Sequence, residues 1–539
     1  MRSLILSLVF CHSRLNLIRM NQQLTRKLLP LLLFCFSLSA IAQQGPRPEA
    51  VLLRGPYLQA ASGNSIVIRW RTDVLIRGYV RYGIAPDQLD QTAQDSDLVS
   101  EHKILLKGLQ PSTKYYYSIG SWKDKLQSGP GNYFVTLPIP GAIGLYRVGV
   151  IGDCGNNSIN QRTVRDQFVH FIGDSGLTSW ILLGDNAYYT GRDAEFQSNF
   201  FNIYKDNLLP KYPMYPSPGN HDYYDGDSAE EKVQKTHHVA YYQNFTMPAN
   251  GEAGGIASHS PSYYSFDIGN IHFLSLDSYG IEEDQYRLYD TASPQVQWVK
   301  EDLQANKNKG WVIAYWHHPP YTMGSHNSDK EQELVHIREN FIRILERYGV
   351  DLVLCGHSHD YERSHLIKGH YGPEASFNPA VNILNGSSAL YDGSPNSCPF
   401  IKDSANGYQG TVYVVSGSAG QLGGKQTSFP HDALPYADAD HGGAGMLEIQ
   451  GNRLDWKWVC ADGVIRDHFT MMKQVNRHET LHIKKGEKIT LSASFMGEYK
   501  WSTGATNKDV EVSPSSTTTY TVKDTYGCLK DTYKIEVGR

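Results

Sequence analysis

The sequence predicts three folded domains: an all-β domain, a central α/β domain of mixed β-sheets flanked by helices, and a small all-β domain at the C-terminus. Three observations support this arrangement. The chain has 539 residues, which is more than one ordinary domain contains. Residues 145–473 alternate apolar runs with helical patterns, as is typical of α/β domains. The stretches on either side have short alternating runs between turn residues instead, which is typical of all-β domains.

Residues 1–42 have the pattern of a cleavable signal peptide. Arg26 and Lys27 precede the apolar stretch 28–38, and residues 40–42 form a small-x-small cleavage site. The apolar stretch is shorter than the ~20 residues that a membrane span requires, which favours cleavage over a membrane anchor. No other segment has a spanning pattern, so we expect a secreted or periplasmic protein with no membrane span after signal cleavage.

The charge pattern limits the classes of partner. Formal net charge is −5 and the chain has no basic block. Binding of nucleic acid or of anionic membranes through bulk charge is therefore not expected. The sequence leaves the oligomeric state open.

Signal cleavage leaves five cysteines. They are Cys154, Cys355, Cys398, Cys460 and Cys528. Because five is odd, at least one thiol stays free or pairs between chains. We expect Cys154 and Cys355 to be small buried core residues. A disulfide between Cys398 and Cys460 is possible, although the sequence does not establish it.

Residues 50–138 are predicted to form the N-terminal all-β domain. The segment LKGLQPSTKYYYSI (106–119) resembles the turn-then-strand pattern of fibronectin type III sandwiches, in which Tyr115 or Tyr117 would pin a corner. Residues 138–144 are predicted to be a linker. The predicted strands are Ser65–Arg71, Gly78–Tyr82, Lys103–Leu106 and Lys114–Ile119.

Residues 145–473 are predicted to form the α/β domain. Ser293 and Pro294 indicate the start of a helix, and an apolar stripe predicts another helix after Asp329 that ends before Gly349. Residues 263–277 read as two alternating strands around Gly269 and Asn270, which predicts a hairpin. A further helix is predicted near residues 161–172.

Residues 480–539 are predicted to form a third, all-β domain. Short alternating runs and Thr/Ser-rich turns make it similar to the Ig-like modules appended to secreted bacterial proteins of the Bacteroidota. Such modules usually carry no chemistry, so we expect the active site to lie elsewhere.

Five short segments of the central domain pair an apolar run with metal-type ligands. All except the Pro-containing third read as buried strands, and Gly152 permits a tight turn before Asp153. Carboxyl ends of strands in an open α/β sheet are where sites are built. Carboxylates, an amide, a phenol and imidazoles meeting there predict a two-metal hydrolase. The segments are VGVIGDCG (148–155), SWILLGDNAYY (179–189), MYPSPGNHD (214–222), WVIAYWHHPP (311–320) and VDLVLCGHSH (350–359).

Tyr188, three residues after Asp185, indicates which metal is present. A phenol with a pKa of about 10 is a poor ligand for Zn²⁺ or Mg²⁺ at neutral pH. Fe³⁺ is a strong enough Lewis acid to hold it as phenolate. Tyr188 therefore predicts ferric iron, and its alternative is a packed aromatic residue beside Tyr189.

The set GDCG, GDNAYY, GNHD, AYWHHP and GHSHDYER resembles the five-block signature of the purple acid phosphatases, which are calcineurin-like metallophosphoesterases. The resemblance covers about residues 50–473. It implies an acid phosphatase with Fe³⁺ and a divalent metal (Fe²⁺, Zn²⁺ or Mn²⁺), in which Asp185 bridges the two ions. The implied ferric ligands are Asp153, Asp185, Tyr188 and His359. The implied divalent ligands are Asp185, Asn220, His317 and His357.

The resemblance also implies two histidines that act on the substrate. His221 would stabilise the phosphoryl oxygens and protonate the leaving alcohol. His326 matches a substrate-contacting histidine, whereas the family's adjacent histidine is Asn327 here. His318 competes with His317 for the ligand role, and the family pattern H-x-P favours His317. Four further residues are expected to be structural or to support the ligands: Asp222, Tyr361, Glu362 and Arg363.

The implied reaction is hydrolysis of small-molecule phosphate monoesters by attack of a metal-bound hydroxide, without a phosphoenzyme. One alternative is a phosphodiesterase or nucleotide hydrolase on the same scaffold, because the loops 223–262 and 372–445 that shape the pocket are not fixed by the motifs. The other alternative is an inactive binding or adhesion protein, which is disfavoured because all seven ligand residues are present.

Overall fold

The computed structural model of the protein describes residues 50–403, 407 and 409–538. The predicted signal peptide, together with Cys11 and Cys35, lies outside this part of the chain. Within it, every helix is too short or too polar to cross a membrane.

The larger of two central sheets has ten strands among the described residues. Its middle consists of Leu145–Ile151, Ser179–Leu182 and Met214–Pro216, which run parallel to one another. These strands are mostly buried, as parallel strands covered on both faces require. The other strands of this sheet are Leu52–Gln59, Ser65–Ile76, Val99–Lys107, Phe400–Lys402, Gly443–Gln450, Arg453–Cys460 and Ile465–Lys473.

The second central sheet has seven strands in the described part of the chain. The predicted hairpin is confirmed, because Tyr264–Ile268 pairs with Ile271–Ser275 in antiparallel register around Gly269 and Asn270. Trp311–Tyr315 then continues the sheet in parallel. The remaining strands are Leu352–Cys355, Tyr361–Arg363, Val412–Ser416 and Tyr436–Asp438. A separate two-stranded sheet pairs Leu366–Ile367 with Ile383–Asn385.

Aromatic side chains join the two central sheets. The ring of Tyr215 stacks on that of Phe266 with centroids 3.8 Å apart, and the Tyr315 hydroxyl donates to the Tyr215 carbonyl oxygen at 3.0 Å. All three residues are fully buried. Each such side chain stabilises the fold by about 1.5–3 kcal/mol, so the sheets pack as one layered core.

Helices cover the outside of this core, and two of them have clear capping residues. The Ser158 hydroxyl accepts from the Gln161 N–H at the start of Ile159–Ile172. As predicted, Ser293 caps Pro294–Ala305, accepting from the Val296 N–H. The segment after Asp329 is helical from Gln332 to Arg347, with a π-helical middle at Ile337–Phe341.

The other helical segments are short. The longest runs from Asp193 to Tyr204 and is π-helical at Phe196–Phe201. The remaining α-helices are Glu230–Thr236, Ala240–Asn244 and Pro379–Asn382, and the 3₁₀ turns are Gly173–Ser175, His221–Tyr223 and Glu374–Ser376.

The N-terminal strands divide between two sheets. Leu52–Gln59 pairs with Ser65–Ile76, and Gln59 forms a parallel bridge with Met214, so these strands extend the ten-stranded sheet. The Tyr115 hydroxyl accepts from the Gln110 N–H at 3.0 Å. The assignment of this region to a fibronectin type III sandwich stays a prediction. A separate five-stranded sheet contains Tyr79–Gly83, Gln91–Gln94, Lys114–Gly120, Lys125–Gln127 and Tyr133–Val135.

The C-terminal strands have a core of their own. Leu491, Phe495 and Trp501 are among its buried residues. A four-stranded sheet contains His478–Lys484, Lys500–Trp501, Thr518–Lys523 and Lys530–Gly538, and Ile489–Ser492 pairs with Asp509–Val512. The Ig-like assignment of this region stays a prediction.

Two expectations from the sequence are wrong. The possible Cys398–Cys460 disulfide does not form: Cys398 pairs with Cys528, and Cys460 is a free, buried thiol. The third motif segment also contains a strand, Met214–Pro216. Pro216 is its last residue, and on the side of Leu52–Gln59 the strand pairs only through Met214. Cys154 and Cys355 are free and buried, as expected.

Candidate metal centre

Loops that follow strand ends bring the predicted ligands together. Asp153 and Asp185 follow two parallel neighbours in the ten-stranded sheet, and Asn220 follows the third strand beside them. His317 and His357 follow two parallel neighbours in the seven-stranded sheet. The carboxyl ends of strands from both sheets therefore meet at one edge, as predicted.

The backbone at three of these residues is left-handed. The φ angles are 54° at Asp153, 50° at Asp185 and 68° at His357. The turn after the first strand thus falls on Asp153 itself, and not on Gly152 as the sequence suggested. Non-glycine residues in this region cost of order 1–3 kcal/mol each and cluster at functional sites. The left-handed backbone therefore lowers the stability of the fold, but it directs these three side chains towards one point.

Asp153, Tyr188 and His359 form one side of the cluster. The Tyr188 hydroxyl lies 3.1 Å from Asp153 Oδ1 and 3.0 Å from His359 Nε2. His359 Nε2 lies 3.6 Å from the same Asp153 oxygen. The His357 backbone N–H donates to both Asp153 oxygens at 3.0 Å. Donor atoms of all three side chains thus face a common centre.

Asp185, Asn220, His317 and His357 form the other side. His317 Nε2 lies 2.9 Å from Asn220 Oδ1 and 3.3 Å from Asp185 Oδ2. His357 Nδ1 lies 3.3 Å from His317 Nε2. His317 Nε2 is also 4.0 Å from Asp153 Oδ1, which links the two sides into one cluster.

The surroundings of His317 fit a cation at this centre. Its Nδ1 lies 2.9 Å from the Leu183 carbonyl oxygen, so Nδ1 must carry a proton and donate. The Nε2 of a neutral ring is then a lone pair, yet it faces the oxygens of Asn220 and Asp185 and a nitrogen of His357. A positive charge at this point stabilises the arrangement, and it can be either a second proton on the ring or a metal ion that the surrounding oxygen and nitrogen donors suit.

Two glycines allow the loops to approach this closely. A Cβ at Gly184 would lie 2.6 Å from His317 Nδ1, and a Cβ at Gly219 would lie 2.1 Å from Asp185 Oδ1. Both distances are far below van der Waals contact. Any larger residue at either position would displace a predicted ligand.

The carboxylates control the protonation of the histidines around them. Burial disfavours the charged ring of His317, but Asp185 and Asp153 outweigh it and raise its pKa to about 9. Asp153 likewise raises the pKa of His359, against the effect of burial. Burial lowers the pKa of His357 to about 3. Protons and metal therefore compete for the rings of His317 and His359. The His357 ring is neutral at neutral pH, so it is available to bind a metal.

Tyr188 is a difficult group to ionise in this position. Burial, followed by the charges of Asp153 and Asp185, raises the pKa of its phenol well above the ordinary value. The hydroxyl nevertheless points at two other donor atoms of the cluster. It can serve as a phenolate only beside a strongly Lewis-acidic cation.

The two predicted catalytic histidines lie at the edge of the cluster. His221 Nδ1 is 2.6 Å from the Tyr189 carbonyl oxygen, and its Nε2 lies 3.8 Å from both Asp185 Oδ2 and Asp225 Oδ2. The His326 ring lies 3.7 Å from the His357 ring. His326 Nδ1 is 2.8 Å from Glu331 Oε2. Both rings line a cleft of about 300 Å³ that opens beside the cluster.

Four residues of this cleft were not found from the sequence: Asp225, Tyr279, Glu331 and Glu333. Glu331 Oε2 lies 3.3 Å from His357 Nε2 as well as near His326. Asp225 accepts from Asn220 Nδ2 at 2.8 Å. Asp225, Glu331 and Glu333 fall outside the motifs. They lie in acidic stretches of the kind found at solvated helix starts, so the sequence alone does not identify them as site residues. Asp225 follows Asn220 by five residues, which is the one available signal.

His318 lies beside the cluster, as its competing candidacy implied. The ligand atoms of His317, His318 and His357 lie within 4.8 Å of one another. However, His318 Nδ1 is 2.9 Å from the Ser278 hydroxyl, and its ring stacks on Tyr279. The geometry favours His317, whose Nε2 also faces Asp185 and Asn220.

The residues expected to support the site do so by holding loops and strands. Asp222 accepts from the Gly219 N–H and from Asn186 Nδ2 at 2.9 and 2.8 Å. Burial and the charge of Asp185 raise its pKa to about 7. Arg363 forms an ion pair with Asp467 at 2.6 Å. Met323 donates its backbone N–H to Glu362.

Comparison with known proteins agrees with this geometry. A model described as the N-terminal domain of purple acid phosphatase matches residues 54–136, and one described as calcineurin-like phosphoesterase matches residues 146–361. The N-terminal and central regions of the chain are thus similar to domains of the purple acid phosphatases and of the calcineurin-like phosphoesterases. The second match includes all seven predicted ligands and His221.

The length of the region that is similar differs between individual relatives. Purple acid phosphatase 15 of Arabidopsis thaliana is 30% identical over 296 residues, which are 49% of this chain and 50% of that protein. The chain thus spans about half the length of this plant relative. Acid phosphatase type 7 of Danio rerio is 25% identical over 470 residues, covering 80% of this chain and 92% of that protein.

Among solved structures, purple acid phosphatase PPD1 from yellow lupin (Lupinus luteus) seeds has a TM-score of 0.60 and 17% identity. The superposition covers 79% of this chain and 75% of that chain. At this identity the likeness concerns the fold alone. The similarity to known proteins therefore covers the N-terminal and central regions, which contain all of the predicted ligands.

Proposed function

We propose that this protein is a secreted acid phosphatase that hydrolyses small phosphate monoesters at a two-metal centre. One observation carries the proposal: the oxygen and nitrogen donor atoms of seven side chains converge at one sheet edge. The family resemblance supports the same activity.

We assign the two metals by the chemistry of their donors. Fe³⁺ would be held by Asp153, Asp185, Tyr188 and His359, because only a strong Lewis acid stabilises a buried phenolate. A divalent ion (Fe²⁺, Zn²⁺ or Mn²⁺) would be held by Asp185, Asn220, His317 and His357, whose mixed oxygen and nitrogen donors suit such ions. Asp185 would contribute to holding both ions.

The metals, when bound, supply a charge that neutralises phosphate and a water molecule of lowered pKa. The protein's own residues orient the ester and handle the leaving group. His221 has its Nδ1 fixed on the Tyr189 carbonyl oxygen, so Nε2 points into the cleft and can donate a proton to the leaving oxygen. His326 is held by Glu331 and would contact the phosphate from the other side of His357.

The cellular location belongs to the same proposal. Residues 1–42 have the pattern of a signal peptide, and the Cys398–Cys528 disulfide suits an oxidising compartment. We therefore place the protein outside the cytoplasm, in the periplasm or the medium.

The domain division is proposed with it: residues 50–138 and 145–473 as the phosphatase, and residues 480–539 as an appended module. The two family matches fall inside the first two ranges. The separate buried core of the C-terminal strands supports the third.

Metal analysis with a visible spectrum tests the proposal. The purified protein is expected to contain iron, to absorb in the middle of the visible range through Tyr188 phenolate, and to hydrolyse p-nitrophenyl phosphate. Tyr188→Phe is expected to abolish the absorption while the far-UV circular dichroism stays the same. A protein with full activity but no iron would refute the ferric assignment. Equal rates on bis(p-nitrophenyl) phosphate would show a phosphodiesterase instead.

A further inference from the structure

The direction of the His221 ring depends on one backbone oxygen atom. Its Nδ1 lies 2.6 Å from the Tyr189 carbonyl oxygen, and within the described chain the ring makes no other hydrogen bond. Its Nε2 lies 3.8 Å from carboxylate oxygens of Asp185 and Asp225, which is beyond hydrogen-bond distance. Because a carbonyl oxygen can only accept, Nδ1 keeps its proton. The place of the Tyr189 carbonyl group therefore sets the direction in which Nε2 points.

The Tyr189 carbonyl group belongs to a turn, residues 189–192, that one carboxylate holds. Glu195 Oε1 accepts from the Tyr189 N–H at 2.7 Å. Glu195 Oε2 accepts from the N–H groups of Thr190 and Arg192, both at 3.0 Å, and from the Thr190 hydroxyl at 2.9 Å. Four hydrogen bonds thus join one side chain to the turn 189–192.

Glu195 is suited to this role by its place and by its charge. It lies in the first turn of the helix that runs from Asp193 to Tyr204, so its backbone is anchored while its side chain reaches back along the chain. Burial opposes its ionisation, but hydrogen bonds, those from Arg192 and Thr190 first, lower the pKa of its carboxyl group. An ionised carboxylate only accepts, and its hydrogen bonds are stronger than those between neutral groups.

One peptide group connects Glu195 with His221. Its N–H belongs to Thr190 and donates to Glu195, and its C=O belongs to Tyr189 and accepts from His221. Because a peptide group is planar, a hydrogen bond that fixes its N–H also fixes the direction of its C=O. The Tyr189 side chain is 64% exposed, so burial of that ring does not fix the peptide group instead.

The turn 189–192 also packs directly on the segment that carries the ring. A Cβ atom at Gly191 would lie 2.5 Å from the His221 carbonyl oxygen and 2.7 Å from the Asp222 Cα, so the two backbones are in contact. The Arg192 guanidinium lies over the Tyr224 ring, 3.8 Å from its centroid. A displaced turn would therefore disturb the backbone of His221 as well as its ring.

We propose that Glu195 is a positioning residue for His221: through the turn 189–192 it holds the ring so that Nε2 faces the leaving oxygen of the substrate. The inference rests on the proposed phosphatase function, in which His221 protonates that oxygen. It extends the catalytic arrangement to a side chain that lies outside the five motif segments and does not line the cleft.

The dependence on the leaving group tests the proposal, with Glu195→Gln in the metal-loaded protein. The alcohol of ethyl phosphate leaves as a strongly basic alkoxide that needs a proton, whereas 2,4-dinitrophenolate is a weak base that does not. We expect kcat for ethyl phosphate to fall about 10–100-fold, and kcat for 2,4-dinitrophenyl phosphate to change less than about threefold. A parallel fall on both esters, as loss of metal would cause, would overturn the proposal, and so would no fall on either.

Asp193→Asn is the matched control. It removes the same charge from the same helical turn, but the Asp193 carboxylate pairs with Arg54 and Arg71 and not with the turn 189–192. We expect the ratio of the two kcat values to stay at its wild-type value. A ratio that changes equally in Asp193→Asn and in Glu195→Gln would show a general effect of charge and refute the positioning role.

A double variant separates action through the ring from an effect elsewhere. In a His221→Ala background, Glu195→Gln is expected to lower kcat for ethyl phosphate by less than about twofold, because residues that act through one group are not additive. A further fall as large as that of the single variant would contradict the proposal.

A crystal structure of the metal-loaded Glu195→Gln variant gives a readout that is independent of turnover. We expect His221 Nδ1 to have left the Tyr189 carbonyl oxygen, while the seven ligand side chains keep their places. An unmoved ring would sink the positioning role even if phosphatase activity is found. If the wild type hydrolyses neither ester, the phosphatase function fails, and the crystal structure still decides whether Glu195 holds the ring.

Discussion

The carboxylates of the ligand cluster and those of the cleft wall, Glu331 and Glu333, share one cavity, but the protein holds them in different ways. Asp153 and Asp185 are 0% and 1% exposed. Both follow buried parallel strands and have left-handed backbones. Glu331 and Glu333 lie where a short helix starts, and the Glu331 side chain is 34% exposed. The first pair is buried and fixed by the backbone, whereas the second lies on the solvent-exposed side of the cavity.

This difference has an energetic reason. A buried carboxylate without a partner costs several kcal/mol, so Asp153 and Asp185 are stable only with the histidines or metals that face them. The wall carboxylates keep contact with water and need no such partner. Changes in the cluster should therefore affect metal content, and changes in the wall that touch no ligand should leave it unchanged.

Asp185→Asn should show the largest effect on the cluster side. It removes one charge from the proposed bridge and weakens the pairing with His317. Since loss of a mere supporting partner costs 10–100-fold, we expect metal affinity and kcat/KM to fall by more than about 100-fold. Metal analysis and p-nitrophenyl phosphate kinetics measure this. Asp87→Asn, at an exposed position, is the control; retained metal in Asp185→Asn would contradict the bridging role.

Glu331→Gln tests the boundary between the two groups, because this carboxylate lines the wall but touches His357 and His326. The amide loses the charge that orients both rings. We expect a fall of about 10–100-fold in metal affinity or in kcat/KM. Titration of Glu331→Gln and of Glu333→Gln with the divalent ion separates support of the metal ligands from a role in the wall alone. Should both variants lose metal equally, the distinction between cluster and wall would not hold.

Asp193→Asn probes an acidic residue that lies outside the cavity and pairs with arginines of the N-terminal strands. The Asp193 carboxylate pairs with Arg54 and Arg71 at 2.9 and 2.5 Å and is 41% exposed. At this exposure we expect a loss of only about 1 kcal/mol or less in the free energy of unfolding at pH 7. Metal content should stay at the wild-type level, and chemical denaturation measures the loss.

The pH dependence of this last effect has a definite sign. Burial opposes ionisation of Asp193, but hydrogen bonds and charge from the two arginines lower its pKa to about 2 from the ordinary 3.8. A lowered pKa means that the stabilisation is present above about pH 4 and is lost as the pH falls towards 2. The difference between wild type and Asp193→Asn should shrink over that interval. A constant difference down to pH 2 would show that the ion pairs contribute nothing.

The sequence was sufficient to predict those elements and site residues for which the local residue pattern and the chemistry agree. The hairpin at Gly269 and the helix capped by Ser293 follow from turn and cap residues. Asp153, Asp185 and His317 could be grouped because parallel strands end at a common edge. In these cases each residue's place depends on its immediate neighbours in the chain.

Long-range packing accounts for what the sequence did not predict. Cys398 pairs with Cys528 across 130 residues, a partner that spacing alone does not identify. The bridge from Gln59 to Met214 extends the large sheet with N-terminal strands. Glu331 becomes part of the site only because the helix that follows brings it beside His357. None of these contacts can be predicted from the residues that are adjacent in the sequence.

The Cys398–Cys528 bond has a practical consequence for anyone handling this protein. It joins a loop of the phosphatase region to the turn before the last strand, Lys530–Gly538. A protease that nicks the chain between Lys473 and His478 would therefore release nothing. The two pieces should migrate as one band on a denaturing gel until a thiol reductant is added.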